Sequence, residues 1–129
     1  MKYLKIALLS YSVFVFGNLS GQDSGCLEKF RTGTFQYETG GGEKVIIYRT
    51  KRKQTEVFNN GKSKLILKIK WLNDSTYLLI QKKAVNAPGC LKKGDIIKTR
   101  VVSCEGERFT CEYSSERCGK GKSVFLKLE

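Results

Sequence analysis

The chain has 129 residues with 24 Lys and Arg against 12 Asp and Glu, a formal net charge of +12, five cysteines and a single proline. It contains no histidine, which excludes Ser-His-Asp and Cys-His nucleophilic catalysis, the usual general base near neutral pH and every zinc site that uses an imidazole. The charge favours acidic partners such as anionic lipid head groups or acidic polysaccharide.

The first element in chain order is a leader. Lys2 and Lys5 precede an apolar run from Ile6 to Phe16, and small residues in Asn18-Leu19-Ser20-Gly21 follow. A basic start, a short apolar run and a small-residue exit form the layout of a secretory signal peptide. The run falls short of the ~20 residues that a membrane-spanning helix needs. Residues 1–21 are therefore expected to be a signal peptide, and residues 22–129 a single domain in the periplasm or outside the cell. Asp23 precedes Cys26 where a lipid-modification site wants an apolar residue, so Cys26 is expected to be a disulfide partner and not a lipid anchor.

Beyond the leader, a short alternating segment followed by turn residues recurs eight times. The segments are Thr-Gly-Thr-Phe-Gln-Tyr (32–37), Lys-Val-Ile-Ile-Tyr-Arg (44–49), Gln-Thr-Glu-Val-Phe (54–58), residues 63–71, residues 76–82, residues 95–103, residues 108–113 and residues 123–129. β-Branched and aromatic residues concentrate in them, and Gly, Asn and Asp lie between them. Residues 38–43 carry three glycines but lead into a strand instead of a helix, so they are a hairpin loop and not a phosphate cradle. Asn60-Gly61 marks another turn. Pro88 lies in the longest connection.

The fourth segment alternates most clearly: Leu65, Leu67, Ile69 and Trp71 share one face, and Lys64, Ile66, Lys68 and Lys70 share the other. That is a half-buried antiparallel strand. In the last segment the same pattern puts Val124, Leu126 and Leu128 inward. For the sixth and seventh, a three-residue loop Cys104-Glu105-Gly106 with Gly106 in the left-handed region sets Val101 opposite Phe109, Thr99 opposite Cys111 and Ile97 opposite Tyr113.

Eight short strands joined by short connections predict an all-β, antiparallel, up-and-down barrel, because closure removes both sheet edges. The alternative is a two-sheet β-sandwich. In a meander, successive loops alternate between the two ends. Cys26 and Cys104 then share one end, Cys90 and Cys118 share the other, and Cys111 lies mid-strand facing the core. The expected bridges are Cys26–Cys104 and Cys90–Cys118, with Cys111 a free buried thiol. Metal is not expected: Cys104, Cys111 and Cys118 are seven apart, unlike the closely spaced pairs of zinc knuckles.

Two further motifs carry a family likeness. The run Cys26 to Tyr37, with Phe30-Arg31-Thr32-Gly33-Thr34-Phe35, followed by Trp71, Asp74 and Tyr77 and by Phe109-Thr110-Cys111-Glu112-Tyr113, resembles a family of small exported proteins of Bacteroidetes-type bacteria. Some of its members are labelled DNA topoisomerase IV. The chain has no ATP-binding motif and is far too short for strand passage, so that label finds no support here. This sequence has Ser75 where the family has Cys, which leaves Cys104 to replace the expected partner of Cys26. Gly33-Thr34-Phe35 also resembles the Gly-x-Trp opening of lipocalins, with Phe in place of Trp, and the barrel is accordingly expected to be lipocalin-like.

The expected function is a non-enzymatic, monomeric binding module without cofactor. Its candidate lining for a small apolar ligand is Phe35, Tyr37, Leu67, Trp71, Tyr77, Phe109 and Tyr113. One alternative is a basic surface, with Arg49, Lys51, Arg52 and Lys53, that docks anionic envelope lipid or polysaccharide. Another is a barrel plugged by its own side chains that serves a protein partner. No nucleic acid is expected, since a secreted chain without a row of exposed stacking aromatics lacks the means to hold single strands.

Overall fold

A computed structural model of the chain describes residues 25–129; the signal segment expected over residues 1–21 lies outside the described residues. Eight strands run in chain order: β1 Gly33–Glu38, β2 Lys44–Arg49, β3 Lys53–Phe58, β4 Ser63–Trp71, β5 Thr76–Val85, β6 Ile96–Glu105, β7 Arg108–Ser115 and β8 Gly119–Lys127. Each pairs antiparallel with its neighbour, and β1 pairs with β8 to close the barrel. The sandwich alternative is thereby excluded. Closure rests on Phe35 opposite Lys127 and Gln36 opposite Leu126, extended by Thr34 N–H to the Glu129 carbonyl at 3.0 Å and Leu128 N–H to the Thr34 carbonyl at 2.7 Å. Gly33 sits at that seam with φ +129°, and a Cβ there would collide with the Glu129 carbonyl oxygen. Glycine is what lets the first and last strands approach.

A helical turn, residues 25–28, precedes β1. It delivers Phe30 into the barrel mouth, where the ring is fully buried against Phe35, Phe109, Phe125 and Tyr77. Phe30 and Phe109 stack at 4.5 Å, while Phe30 meets Phe35 edge-on at 5.0 Å, geometries that suit the ring quadrupoles. Cys26, on the same turn, is bonded to Cys104 at the end of β6, with Cα atoms 6.1 Å apart. At the other end Cys90 is bonded to Cys118, with Cα atoms 5.4 Å apart. Cys111 is free and buried. The cysteines thus fall as the alternation of loops between barrel ends requires.

Two register expectations need correction. In the β6–β7 hairpin Val101 faces Cys111, Thr99 faces Tyr113 and Cys104 faces Phe109. A bulge between Val101 and Ser103 inserts one residue into β6, so Val101 and Cys104 both turn inward and the exposed Val102 turns out. The turn is Gly106-Glu107, with Gly106 at φ +60°. Only unbulged registers follow from counting loop residues, and the bulge is what lets Cys104 reach Cys26. In β8 the facing is reversed: Phe125 is buried, and Val124, Leu126 and Leu128 are exposed. Phe125 lies opposite Phe109 and Ser123 opposite Cys111, so the interior of β7 dictates which set of β8 enters. Residues 119–122, expected as turn, are strand; Gly121 lies under the Tyr113 ring, which occupies the space a Cβ would need.

Because the Phe30 ring fills the barrel end, Phe30→Ala should cost ~3–5 kcal/mol of stability in denaturant titration. The double change Cys26→Ser, Cys104→Ser, which opens a link spanning 78 residues, should cost ~2–4 kcal/mol.

Candidate ligand site

The interior is divided. The half nearest the Cys26–Cys104 bridge is filled; the half nearest the Cys90–Cys118 bridge holds a cavity of about 370 Å³. Its apolar wall comes from Leu65, Leu79, Leu91, Ile97 and Phe125, and its polar groups are Tyr37, Gln54, Glu56, Thr99, Tyr113 and Ser123. Glu38, Gly40 and Lys122, all exposed, mark the mouth. Leu91 and Cys90 belong to the long connection between β5 and β6, which folds over the opening: Gly94 N–H bonds the Gln81 carbonyl at 2.8 Å and Gln81 N–H bonds the Asp95 carbonyl at 3.0 Å. Arg117 Nε donates to Asp95 Oδ2 at 2.7 Å; this bond, with the Lys92 N–H, holds the Asp95 carboxyl below its ordinary value.

The candidate lining residues fall into two groups. Tyr37, Tyr77 and Tyr113 face the cavity. Phe35, Leu67 and Phe109 are buried in the filled half, and Trp71 packs on Tyr77 at 4.7 Å at the closed end. The barrel is therefore neither wholly plugged nor wholly hollow. Of the candidate anionic surface, Lys51, Arg52 and Lys53 are exposed around the β2–β3 turn. Arg49 is not part of it: its side chain is only 4% exposed and points into the barrel. The reason is parity. Arg49 shares a strand face with Val45 and Ile47, and those two are core residues.

Burying a guanidinium demands partners for its donors. Arg49 Nε donates to Gln54 Oε1 at 2.9 Å, one terminal nitrogen to the Phe30 carbonyl at 2.6 Å and the other to the Tyr77 hydroxyl at 3.2 Å. The rings of Phe30, Tyr77 and Phe35 surround the cation at 4.3, 4.9 and 5.1 Å, adding attraction from their π faces. Gln54 passes the polarity on: its Nε2 donates to Glu56 Oε2 at 2.9 Å, and the Tyr37 hydroxyl donates to Glu56 Oε1 at 3.1 Å. Arginine can only donate and a carboxylate only accept, so the amide between them has one workable orientation. The result is a continuous chain from Arg49 in the filled half to Tyr37 and Glu56 on the cavity wall.

Burial raises the Glu56 carboxyl above the ordinary value, against the bonds from Gln54 and Tyr37 and the charge of Arg49. Burial, then the neighbouring Glu56, raises the Tyr37 phenol. Burial pushes Tyr77 up to about 12 and the Cys111 thiol up to about 12, in each case partly offset by Arg49. A thiol held this high is a poor nucleophile.

Gln54 and Glu56 escape a reading by residue type, because Thr55 and Val57 are the more apolar set of the same strand. Parity with Arg49 through the β2–β3 turn was the available signal: Arg49 lies opposite Gln54, and Ile47 opposite Glu56. Among the described residues no three His, Cys, Asp or Glu side chains are placed to hold a metal ion. Comparison with protein families, with curated proteins and with solved structures finds no match to this chain.

Glu56→Gln provides a pH test. A carboxyl raised by folding gives stability that is complete below the ordinary value of 4.5 and is lost as the pH climbs through the folded value. In paired melts the wild type should therefore lose ground to Glu56→Gln as the pH is raised from 4.5. The Cys111 thiol should resist iodoacetamide at pH 8 in the native protein and react at once in denaturant.

Proposed function

We propose that this protein is an exported, non-enzymatic binding module that takes a small, largely apolar molecule into the open half of its barrel. The observation that carries the reading is the one-ended cavity of about 370 Å³, within the range of small-molecule sites, which combine apolar walls with a few convergent polar groups. Leu65, Leu79, Leu91 and Ile97 would hold the apolar body. The Tyr37–Glu56 pair and Thr99 would meet its polar end. The lone pairs of that pair left free by Gln54 and Tyr37 accept hydrogen bonds, so a hydroxyl or amine suits the site better than a carboxylate.

Residence in the periplasm or outside the cell is supported by the leader-like residues 1–21 and by two disulfides, which persist in oxidising compartments. The buried thiol and the absence of histidine from the sequence support a role without covalent or acid–base chemistry. The environment of Glu56 serves recognition: Gln54 and Tyr37 fix the carboxyl with one bond to each oxygen and leave its remaining lone pairs to a ligand.

Saturable enhancement of N-phenyl-1-naphthylamine fluorescence, little altered by salt, is the expected result with purified protein. Leu79→Trp, which fills the cavity from β5, should weaken uptake at least tenfold with the far-ultraviolet spectrum unchanged. Absence of saturable uptake, together with native mass spectra of host-purified protein that carry no small molecule, would refute the proposal.

A further inference from the structure

The outside of the barrel is not uniformly charged. Strand pairing sets Leu128 and Thr34 beside Tyr48, then Thr55, then Ile66, in one row across β8, β1, β2, β3 and β4. The next row runs Leu126, Gln36, Ile46, Val57. All point outward, since their neighbours Phe35, Ile47, Glu56 and Leu67 are buried. Tyr48 is 52% exposed, Leu128 47% and Leu126 39%. These stretches of two adjacent rows hold no charged side chain on a chain of net charge +12. Tyr48, Ile46, Val57 and Ile66 form an apolar patch on β2–β4, with Leu126 and Leu128 across the uncharged Thr34 and Gln36 of β1, and exposed apolar surface of this kind marks an interaction site.

The border is basic. Lys53 and Lys68 pair at one edge; Lys64 lies opposite Val57, Lys83 opposite Ile66 and Arg108 opposite Leu126. Lys44 closes the remaining edge with Glu38 opposite it, and Glu129, beside Leu128 and bonded to Thr34, and Glu107, bonded to Lys127, are acidic residues at the β8 corner. The four surface ion pairs among the described residues use Lys29, Arg31, Arg100 and Arg117. None uses a cation of this border.

We infer that this face docks on an anionic lipid surface, with Tyr48, Leu126 and Leu128 entering the head-group layer and the surrounding lysines engaging the lipid charges. An apolar centre with snorkelling cations around it is the composition of surfaces that lie on bilayers. A second copy of this chain would bring the same unpaired lysines against each other. A soluble polyanion would match the border but leave the apolar centre without a use. Nor can the barrel span a bilayer, which needs an apolar band all round: Lys64, Lys68, Lys70, Lys98 and Arg100 are exposed on β4 and β6. The inference is independent of the ligand cavity, which opens at a barrel end and not on this wall.

Co-sedimentation with phosphatidylcholine vesicles containing phosphatidylglycerol tests it, against phosphatidylcholine alone. Binding is expected only to the anionic vesicles and should weaken with salt. Tyr48→Glu with Leu126→Glu should reduce it more than tenfold with the circular dichroism spectrum unchanged. Lys64→Glu should reduce it about fivefold or more, whereas Lys98→Glu, the same charge change on the opposite side, should leave it within twofold. The inference is overturned if Tyr48→Glu, Leu126→Glu binds like the wild type, or if Lys98→Glu costs as much as Lys64→Glu. It is equally overturned if the protein binds heparin but not anionic vesicles, or if light scattering shows a dimer that this double change dissociates.

Discussion

Arg49 carries a full positive charge where water is excluded, and the interior is arranged around that fact. A buried cation persists only if its donors are met. Phe30, Tyr77 and Gln54 meet them, three aromatic rings face the charge, and Glu56 stands one amide away. These groups come from the N-terminal segment, β2, β3 and β5. None of the strands that contribute to it could slip by one residue without leaving part of this chain of bonds unpaired. An apolar core of the same volume would be at least as stable but would not specify register so tightly. The bond from Arg49 to the Phe30 carbonyl also fastens a segment that belongs to no strand.

That segment explains the two motifs most distinctive in the sequence. Phe30, Arg31 and Phe35 lie far along the chain from Trp71, Asp74 and Tyr77, yet all six meet at one barrel end. Arg31 sits 4.6 Å over the Trp71 ring and bonds Asp74 at 3.2 Å, while Phe30 packs on Tyr77 and Phe35. The motifs are two sides of one closure. They speak for architecture, and the ligand cavity owes its floor to them: with the first end filled, space remains only at the second.

The two halves of the barrel therefore do different things with the same strands. In the filled half aromatic rings and one guanidinium exclude solvent. In the open half the strands carry smaller or polar inward residues, Thr99, Cys111 and Ser123 among them, and the side chains no longer reach across. The polar chain from Arg49 to Tyr37 crosses the boundary, so a ligand that touched Glu56 would also touch the network that holds the register.

Strand number, antiparallel order, the pairing of the cysteines and the turns outside those flanking β7 were legible in the sequence, because each follows from local rules. Alternation marks strands, glycine and asparagine mark turns, and a meander sends successive loops to opposite ends. Which face of a strand turns inward is different. A period of two says that Val124, Leu126 and Leu128 share a side, but not which side. Their greater apolarity pointed the wrong way, because Phe125 opposite Phe109 settles the matter. For the same reason Gln54 and Glu56 lie inside and Thr55 and Val57 outside. Facing is fixed by pairing around the closed ring, where each strand must agree with two neighbours, and by a bulge in β6 that resets the count. Those constraints exist only once the cylinder has closed, so the buried cation, the cavity beside it and the uncharged outer wall were decided by the tertiary structure alone.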